Sequence, residues 1–287
     1  MPDPGSVRLT VDIGGTTTRV ALVEGTAVQK RREMPTRAQD GPDALLRRLL
    51  DLIGEVCPRP PSRAVGVACT GRVQGGRVTA VNRVTMPGWT DIPLGNTLAE
   101  VLGVPVQVMN DARAATLGEW EARGASAGAN FMFVTVSTGI GSGLILGGRL
   151  HDPPDGRDVG LGFTRGPDGG ALEHGSSGSG LRQVAWAGGY PSVAALFDAA
   201  EGEDARARRL LHVPLTALAD RLWDAYCLLG LHTICLGGSV GLRAYTAKFL
   251  AGVLNGQGAP ILQAAQLGAD AGLIGAALFA DQEEVRA

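Results

Sequence analysis

The sequence predicts a two-domain α/β protein in which a mixed sheet with flanking helices occurs twice. The chain has 287 residues, and at about 150 residues per domain this is enough for two domains. Two alternating strands joined by a glycine–threonine turn begin at Val7, and the same pattern returns at Phe131. Segments with helical spacing accompany each strand pair, which is typical of two related α/β halves.

The composition excludes several classes of protein. Hydrophobic residues make up 45% of the chain and charged residues 19%, so a disordered protein is excluded. The formal net charge of −2 argues against a nucleic acid or an anionic membrane surface as a partner. The four cysteines form no C-x-x-C pair, and residues 1–6 lack the pattern of a secretory signal. We therefore expect a cytoplasmic protein with small-molecule partners.

The first half of the chain is predicted to form an antiparallel meander followed by alternating helices and strands. Alternation of apolar and polar residues over 7–34 predicts three closely spaced strands. The elements predicted after it are helix 41–56, strand 64–69, helix 93–102 and strand 104–109. No spacer separates the halves, so we expect domains at 1–110 and 111–269, with the C-terminal helix 270–283 packed back on the first.

The second half repeats the plan with more helices. Residues 151–180 are rich in glycine, proline and charge without clear periodicity, which indicates a surface or active-site excursion. The predicted elements are helix 112–121, strands 131–137 and 143–146, helices 180–186, 192–199 and 203–229, strand 233–236, a turn at 237–240 and a final helix 270–281.

The first turn, D-I-G-G-T-T at residues 12–17, is suited to phosphate binding. A glycine-rich turn between strands offers backbone N–H groups with no side chains in the way, and a threonine hydroxyl adds a donor. An aspartate at the strand's end is placed to hold a hydrated Mg²⁺. The alternative is an ordinary hairpin turn capped by the aspartate. The candidates are Asp12 for the metal and Gly14, Gly15, Thr16 and Thr17 for phosphate.

Two further glycine turns support a nucleotide site. Thr138 and Gly139 lie in a turn of the same design in the second strand pair, after the predicted strand 131–137. A third turn, with Gly237, Gly238 and Ser239, ends another apolar strand and is a candidate for the adenosine side of ATP. The alternative for this turn is a helix N-cap by Ser239. No G-x-x-x-x-G-K-[ST] sequence is present, so a P-loop is excluded.

Asn110 and Asp111 lie at the end of a predicted strand and the start of a helix. Open α/β sheets bind ligands at this position. A carboxylate here can accept a proton from a substrate hydroxyl that Asn110 orients. The alternative is that Asp111 caps the helix, which aspartate does well. With phosphate-type turns elsewhere in the chain, the proton-accepting role is the better interpretation.

These motifs resemble those of the ROK family of sugar kinases, within the hexokinase–actin superfamily. They are D-I-G-G-T at 12–16, T-G-R-V at 70–73, N-D-A-R-A-A at 110–115, V-T-V-S-T-G-I-G at 134–141, L-G-G-S-V-G at 236–241 and D-A-G-L-I-G-A-A at 270–277. The resemblance runs over about residues 9–279. It implies a two-domain actin-like ATPase (ribonuclease H-like) fold with an interdomain cleft.

The resemblance also implies roles for individual residues. Asp111 is implied as the catalytic base on a sugar 6-hydroxyl, with Asn110 and Glu173 binding the sugar and with Gly71 and Arg72 on the substrate side. For Glu173 the alternative is a solvated loop carboxylate, and for Arg72 a surface charge beside a strand. His174 is a candidate replacement ligand for the sugar, or a solvated histidine.

The chain departs from the family pattern in the segment before Glu173. Gly160 stands where family members carry a sugar-contacting Glu or His, and Phe163 stands where they carry a zinc-ligating His. Residues 165–171 replace the family's cysteine-rich zinc loop and contain no cysteine, so we expect no structural zinc. Thr85 occupies the position of a sugar-contacting Asn, for which Asn82 is a candidate substitute.

The expected activity is therefore that of an ATP- and Mg²⁺-dependent kinase for the 6-hydroxyl of an N-acylhexosamine, and N-acetylmannosamine is the first candidate substrate. One alternative is a kinase for another hexose, such as glucose or N-acetylglucosamine. The other is a catalytically weakened sugar-binding or regulatory protein of the same fold. Because relatives are usually dimers, we expect a homodimer.

Overall fold

The computed structural model describes residues 7–81, 86–124, 128–255 and 258–286. The chain divides into two compact units. The first contains Met1–Ala125, Asp152–Asp158 and Ala269–Ala287, and the second contains Ser126–His151 and Val159–Gly268. The predicted boundary at 110/111 differs from the one observed at 125/126. The difference arises because the helix that follows Asn110 packs on the C-terminal helix within the first unit.

The described elements alternate along the chain as α/β proteins do. The strands are β1 (Val7–Ile13), β2 (Thr17–Glu24), β3 (Ala27–Pro35), β4 (Val65–Cys69), β5 (Arg72–Gln74), β6 (Arg77–Thr79), β7 (Val106–Asn110), β8 (Phe131–Val136), β9 (Ile140–Leu146), β10 (Arg149–Leu150), β11 (Thr233–Gly237) and β12 (Ile261–Ala264). The helices are α1 (Pro42–Val56), α2 (Leu94–Leu102), α3 (Asp111–Glu121), α4 (Leu172–Ser176), α5 (Gly178–Ala187), α6 (Val193–Glu201), α7 (Ala205–Leu229), α8 (Gly238–Gly241), α9 (Ala244–Val253) and α10 (Ala271–Arg286).

The two units contain sheets of the same topology. The first has strand order β3-β2-β1-β4-β7 and the second β10-β9-β8-β11-β12. In each, the first two pairings are antiparallel and the last two are parallel. The predicted duplication of a mixed sheet is therefore confirmed.

Each sheet is covered by helices over an apolar core. In the first unit, Leu45, Leu49 and Ile53 of α1 are buried, at the spacing that places them on one helix face. In the second unit, the long helix α7 buries Leu211, Leu218 and other residues against β-sheet side chains in one cluster. Among the described residues, no helix is both long and apolar enough to span a bilayer.

Several elements were not predicted. The β5–β6 hairpin, α4, α9 and β12 are short or have few periodic residues, so their sequence pattern is weak. Residues 237–240 were predicted to form a turn, but most of them form the single-turn helix α8.

Glycines allow α10 to lie directly on its neighbours in the first unit. A Cβ atom on Gly275 would lie 1.7 Å from the carbonyl oxygen of Ala114 in α3. A Cβ on Gly118 of α3 would lie 2.5 Å from the carbonyl oxygen of Ala271, and one on Gly66 of β4 would lie 2.1 Å from that of Ala276. Real Cβ atoms do not approach oxygens this closely, so these contacts require glycine.

We predict that Gly275→Ala destabilises the protein by at least about 2 kcal/mol, because the added methyl group must push α10 away from α3. Gly54→Ala is the matched control. Gly54 lies in α1, where an added Cβ meets nothing within 4 Å, so helix propensity should raise stability by about 0.5–1 kcal/mol. Urea unfolding followed by circular dichroism measures both changes. Equal effects of the two substitutions would contradict the packing argument.

Candidate active site

Three parallel strands of the first sheet end side by side. Ile13 of β1 pairs with Cys69 of β4, and Cys69 pairs with Asn110 of β7. The backbone N–H of Thr70 donates to the carbonyl oxygen of Ile13 at 2.9 Å, which continues the alignment past the end of β4. The carboxyl edge of the sheet therefore brings together side chains that are far apart in the sequence.

Asp111 is the first residue of α3 and is held by donors from three directions. Its Oδ1 accepts the backbone N–H of Ala112 at 2.9 Å and the Nδ2 of Asn110 at 3.2 Å. Burial raises the pKa of Asp111, while hydrogen bonds from Ala112, Thr70 and Asn110 oppose that rise. The carboxyl is thus oriented by fixed donors in a partly buried position.

Asn110, not Asp111, caps helix α3. The Oδ1 of Asn110 accepts the backbone N–H of Arg113 at 3.1 Å, which is the bond that defines an N-cap. The interpretation of Asp111 as the cap is therefore wrong. The Nδ2 of Asn110 also donates to the carbonyl oxygen of Gly71 at 2.9 Å. Asn110 therefore bridges β4's terminal loop, the helix and the Asp111 carboxyl.

Gly71 makes this bridge possible. Its φ of +115° lies in the region that favours glycine, and a Cβ there would lie 2.7 Å from the carbonyl oxygen of Thr79. The predicted place of Gly71 at the site is explained by its carbonyl group, which fixes the amide of Asn110. Arg72, the next residue, is exposed at the start of β5, so the surface-charge alternative for Arg72 stays open.

Asp12 is a buried carboxylate next to the charge of Asp111. Burial, with a further contribution from Asp111, raises the pKa of Asp12 to about 7. Arg19 opposes this shift, with its Nη1 at 3.4 Å from Oδ2 of Asp12. Carboxylate oxygens are the ligands that Mg²⁺ prefers, and a cation would relieve the repulsion between the two acids. The residues present therefore fit the implied metal.

Gly272 covers the Asp12 carboxyl from the first turn of α10. A Cβ on Gly272 would lie 3.3 Å from the Cγ of Asp12 and 3.4 Å from its Oδ2. This role of Gly272 was not predicted from the sequence, because a glycine in a helix has no local pattern that points to a distant carboxylate. Its place in the D-A-G-L-I-G-A-A motif was the available signal.

The first glycine turn is fixed by Thr36, another residue that the sequence pattern does not predict. The backbone N–H of Gly14 donates to the carbonyl oxygen of Thr17 at 3.1 Å, which closes the turn. Thr36 then donates through its hydroxyl to the carbonyl oxygen of Gly14 at 2.7 Å and through its N–H to that of Thr16 at 2.8 Å. Gly15 and Thr16 are exposed at the tip. The turn is rigid at its base and accessible at its tip.

The second turn, in the second unit, lies against Glu173. The N–H of Ser137 donates to the carbonyl oxygen of Gly139 at 2.9 Å, and the N–H of Ser179 donates to that of Thr138 at 3.1 Å. The Oε2 of Glu173 accepts the N–H of Ile140 at 3.5 Å. A Cβ on Gly139 would lie 3.1 Å from the same oxygen. The structure thus brings Glu173 to the turn, so it is not only a solvated loop carboxylate.

The third turn owes its glycines to packing. Gly238 has φ of +82°, and a Cβ there would lie 2.4 Å from the carbonyl oxygen of Val136. A Cβ on Gly237 would lie 2.9 Å from the ring of Phe133. Ser239 is exposed inside α8, whose N-cap is Gly237, so the interpretation of Ser239 as an N-cap is wrong.

The segment that departs from the family pattern is closed by hydrogen bonds. Gly160 has φ of +77° and precedes a 3₁₀ turn that leaves Phe163 42% exposed. In the loop that replaces the zinc loop, the N–H of Gly166 donates to the carbonyl oxygen of Gly170 at 2.8 Å, and the N–H of Gly170 donates to Oδ1 of Asp168 at 2.9 Å. Within the described part of the chain, no group of three His, Cys, Asp or Glu side chains is placed to hold a metal.

His174 is exposed in the last turn of α4, beside this loop. A Cβ on Gly170 would lie 3.3 Å from the Nδ1 of His174, so the imidazole lies over Gly170. Asn82 and Thr85 lie outside the residues that the structure describes.

The duplicated sheet topology defines an actin-like ATPase fold, and a solved structure of a ROK hexokinase from Thermus thermophilus shares it. That structure is 30% identical, has a TM-score of 0.82 and matches over 98% of this chain and 100% of its own. A ROK family glucokinase from Streptomyces griseus, solved with glucose and AMPPNP, has the same fold at 24% identity and a TM-score of 0.79, covering 96% of this chain and 99% of that one.

The ROK family model matches residues 8–283, and the chain belongs to the ROK family. An N-acetylmannosamine kinase of Yersinia pestis is 34% identical over 95% of this chain and 97% of its own length. A bifunctional enzyme NanE/NanK of Brucella melitensis is 37% identical over 96% of this chain. The chain spans about half, 54%, of the length of that Brucella relative.

We predict that Asp12→Asn stabilises the protein at pH 8, without nucleotide or divalent cations, by at most about 4 kcal/mol. In the folded state Asp12 has a pKa of about 7 instead of the usual 3.8, a difference of about three units at about 1.4 kcal/mol each. Folding therefore favours the protonated acid. The stability that protonation provides is complete below pH 3.8 and is lost as the pH rises through 7.

Unfolding free energies of wild type and Asp12→Asn at pH 4, 6 and 8 test this prediction. The difference should be smallest at pH 4 and largest at pH 8. Asp51→Asn, an exposed aspartate of α1, is the control and should show no such trend. An Asp12→Asn protein less stable than wild type at pH 8 would show that Asp12 is not a strained carboxylate.

Proposed function

We propose that this ROK family protein is an ATP-dependent kinase that phosphorylates the 6-hydroxyl of an N-acylhexosamine. N-acetylmannosamine is the first candidate, because relatives that match nearly the whole chain are N-acetylmannosamine kinases. The observation that carries the proposal is the oriented, partly buried Asp111 carboxyl at the carboxyl edge of the first sheet, next to Asp12. A hexose such as glucose is the alternative substrate, in keeping with the hexokinase and glucokinase structures.

Asp111 is the proposed general base. Phosphoryl transfer proceeds through a loose transition state, so catalysis depends mainly on positioning and on neutralising charge. The N–H of Ala112 and the amide of Asn110 fix the orientation of the Asp111 carboxyl. A raised pKa brings the acid closer to the operating pH, which favours proton transfer from the attacking hydroxyl. Asp111 thus orients the hydroxyl and accepts its proton as the bond from the sugar oxygen to the γ-phosphorus forms and the bond from that phosphorus to ADP breaks.

Asp12 is the proposed holder of Mg²⁺, through water. When bound, the cation neutralises phosphate charge and the repulsion between Asp12 and Asp111. Arg19 supplies the positive charge beside Asp12 in the protein itself. The single Arg19 contact at 3.4 Å leaves the Asp12 carboxyl weakly compensated, as its raised pKa indicates.

The glycine turns are proposed to bind ATP. Fixed backbone donors at an accessible turn suit phosphate oxygens. The contact of Glu173 with the second turn supports a role for this acid beside the proposed phosphate donors of that turn. The proposed phosphate residues are Gly14, Gly15, Thr16, Thr17, Thr138 and Gly139, with Gly237, Gly238 and Ser239 on the adenosine side. The proposed sugar residues are Asn110, Glu173, Gly71, Arg72, Asn82, Thr85 and His174.

A cytoplasmic homodimer is also part of the proposal. Large apolar side chains are exposed on the helices of the second unit, among them Val213 and Leu228 of α7 and Val253 of α9, and a partner copy would cover them in the proposed dimer. None of the cysteines in the described part of the chain forms a disulfide, as suits a reducing compartment. Light scattering and cell fractionation check these two statements.

We predict that Asp111→Asn lowers kcat by at least about 100-fold with the fold intact, because the amide cannot accept the proton. Since the carboxyl oxygen that accepts the N–H of Ala112 has an amide counterpart, the thermal midpoint should change little. Asp51→Asn is the matched control and should retain full activity. A coupled assay of ADP release measures kcat, and near-normal turnover of Asp111→Asn would exclude the assigned base.

The substrate is tested by the same assay with N-acetylmannosamine, N-acetylglucosamine, glucose and mannose at equal concentrations. We expect the highest kcat/KM with N-acetylmannosamine. A higher value with a hexose would assign the alternative substrate. Binding of ATP without turnover on any of the four sugars would favour a catalytically weakened sugar-binding protein. The loss of activity would then be attributed to the replacements at Gly160 and Phe163.

A further inference from the structure

A cavity of about 400 Å³ lies along β7, the edge strand of the first sheet. All its lining residues belong to the first unit, and none of the residues proposed above for sugar or ATP is among them. Val106, Val108 and Phe279 form an apolar part of the wall, while Gln74 and Asn96 add polar groups. This size is within the range of sites for small organic ligands.

Arg113 provides a buried positive charge in the cavity wall. Its side chain is only 6% exposed, and its buried Nε has no hydrogen-bond partner among the residues that the structure describes. Burial lowers the pKa of Arg113, and the charge of Asp152 opposes that effect. A guanidinium nonetheless stays charged. A buried cation with an unused donor indicates a site that is incomplete without an anion.

Helix α2 adds a second electropositive element. Its first turn, with Gly95 and Asn96, lines the same cavity. The N-terminus of a helix carries a partial positive charge and favours anions. The side chain of Arg113 and the start of α2 thus supply positive potential from two different elements.

The partner of Arg113 is well placed to be exchanged. The Nη2 of Arg113 lies 2.8 Å from Oδ1 of Asp152, and the Asp152 side chain is 72% exposed. Solvent compensates an exposed carboxylate that leaves an ion pair, so Asp152 loses little by releasing Arg113. The rest of its segment is anchored separately, since the carbonyl oxygens of Gly156 and Pro154 accept hydrogen bonds from Val73 and Gln74.

We propose that this cavity is a binding site for a small organic oxyanion, a phosphate ester or a carboxylate, whose charged group replaces Asp152 on Arg113. The apolar body of the ligand packs against Val106, Val108 and Phe279. The site is separate from the proposed kinase centre. The backbone N–H of Arg113 donates to the Asn110 side chain, so the residue that binds the ligand is hydrogen-bonded to the residue that caps α3.

The test is calorimetric titration of the full chain with phenyl phosphate and with benzoate, at ionic strength held constant with chloride. The matched pair of variants is Asp152→Asn and Asp155→Asn. Both remove one negative charge from the same segment, but Asp155 pairs with Arg157 and not with Arg113. Asp152→Asn should bind the oxyanion about two- to fivefold more tightly than wild type, because the competing carboxylate is gone. Asp155→Asn should bind as wild type does.

Arg113→Gln should weaken binding at least about tenfold, because the charge-assisted hydrogen bonds are lost. Circular dichroism checks that this buried substitution folds, and the Asp152→Asn result stands without it. A preference for phenyl phosphate assigns a phosphate ester, and a preference for benzoate assigns a carboxylate. Absence of binding by both probes, or equal affinities of Asp152→Asn and Asp155→Asn, would overturn the proposal.

Discussion

The close contact of α10 with α3 and β4 is the constraint on which the candidate site depends. Gly66, Gly118 and Gly275 let backbone lie on backbone at distances that no other residue allows. One end of this packed layer carries Gly272 against Asp12, and the start of α3 carries Asp111. The packing of the core therefore fixes the positions of the two carboxyls. Their repulsion destabilises the folded state, whereas the packing of α10 on α3 and β4 stabilises it.

This arrangement places two carboxyls that repel each other at the proposed catalytic site. Burial and the neighbouring acid raise the pKa of Asp12 to about 7, and burial raises the pKa of Asp111. Arg19 compensates Asp12 only weakly, at 3.4 Å. Such sites lower the stability of a protein without ligands, and the cost is offset when a cation or a protonated partner is present. The burial and repulsion that raise these pKa values thus serve the proposed chemistry and also lower the stability of the protein without ligands.

The two units show how one topology supports different chemistry. Both sheets have the same strand order and directions, and both contain a glycine turn between the first antiparallel strand pair. Among the described residues, only the first unit has carboxylates at the ends of its parallel strands, at Asp12 and Asp111. In the second, a glutamate from a short helix, Glu173, reaches the turn from outside the sheet, and the end of β11 is filled by glycine packing against β8.

The sequence by itself determined the features that depend on local pattern: the duplicated strand–turn–strand plan, the amphipathic helices, the glycine turns and the positions of Asp12, Asn110 and Asp111 at the ends of strands. Alternation and helical spacing report which face of a single element is buried, and they need no knowledge of its neighbours. Only the tertiary structure decided that Asn110 is the cap of α3, that Thr36 and Gly272 support the first turn and Asp12, and that α3 belongs to the first unit. These facts rest on contacts between residues far apart in the chain, and a glycine required by such a contact has the same local pattern as one required by a turn.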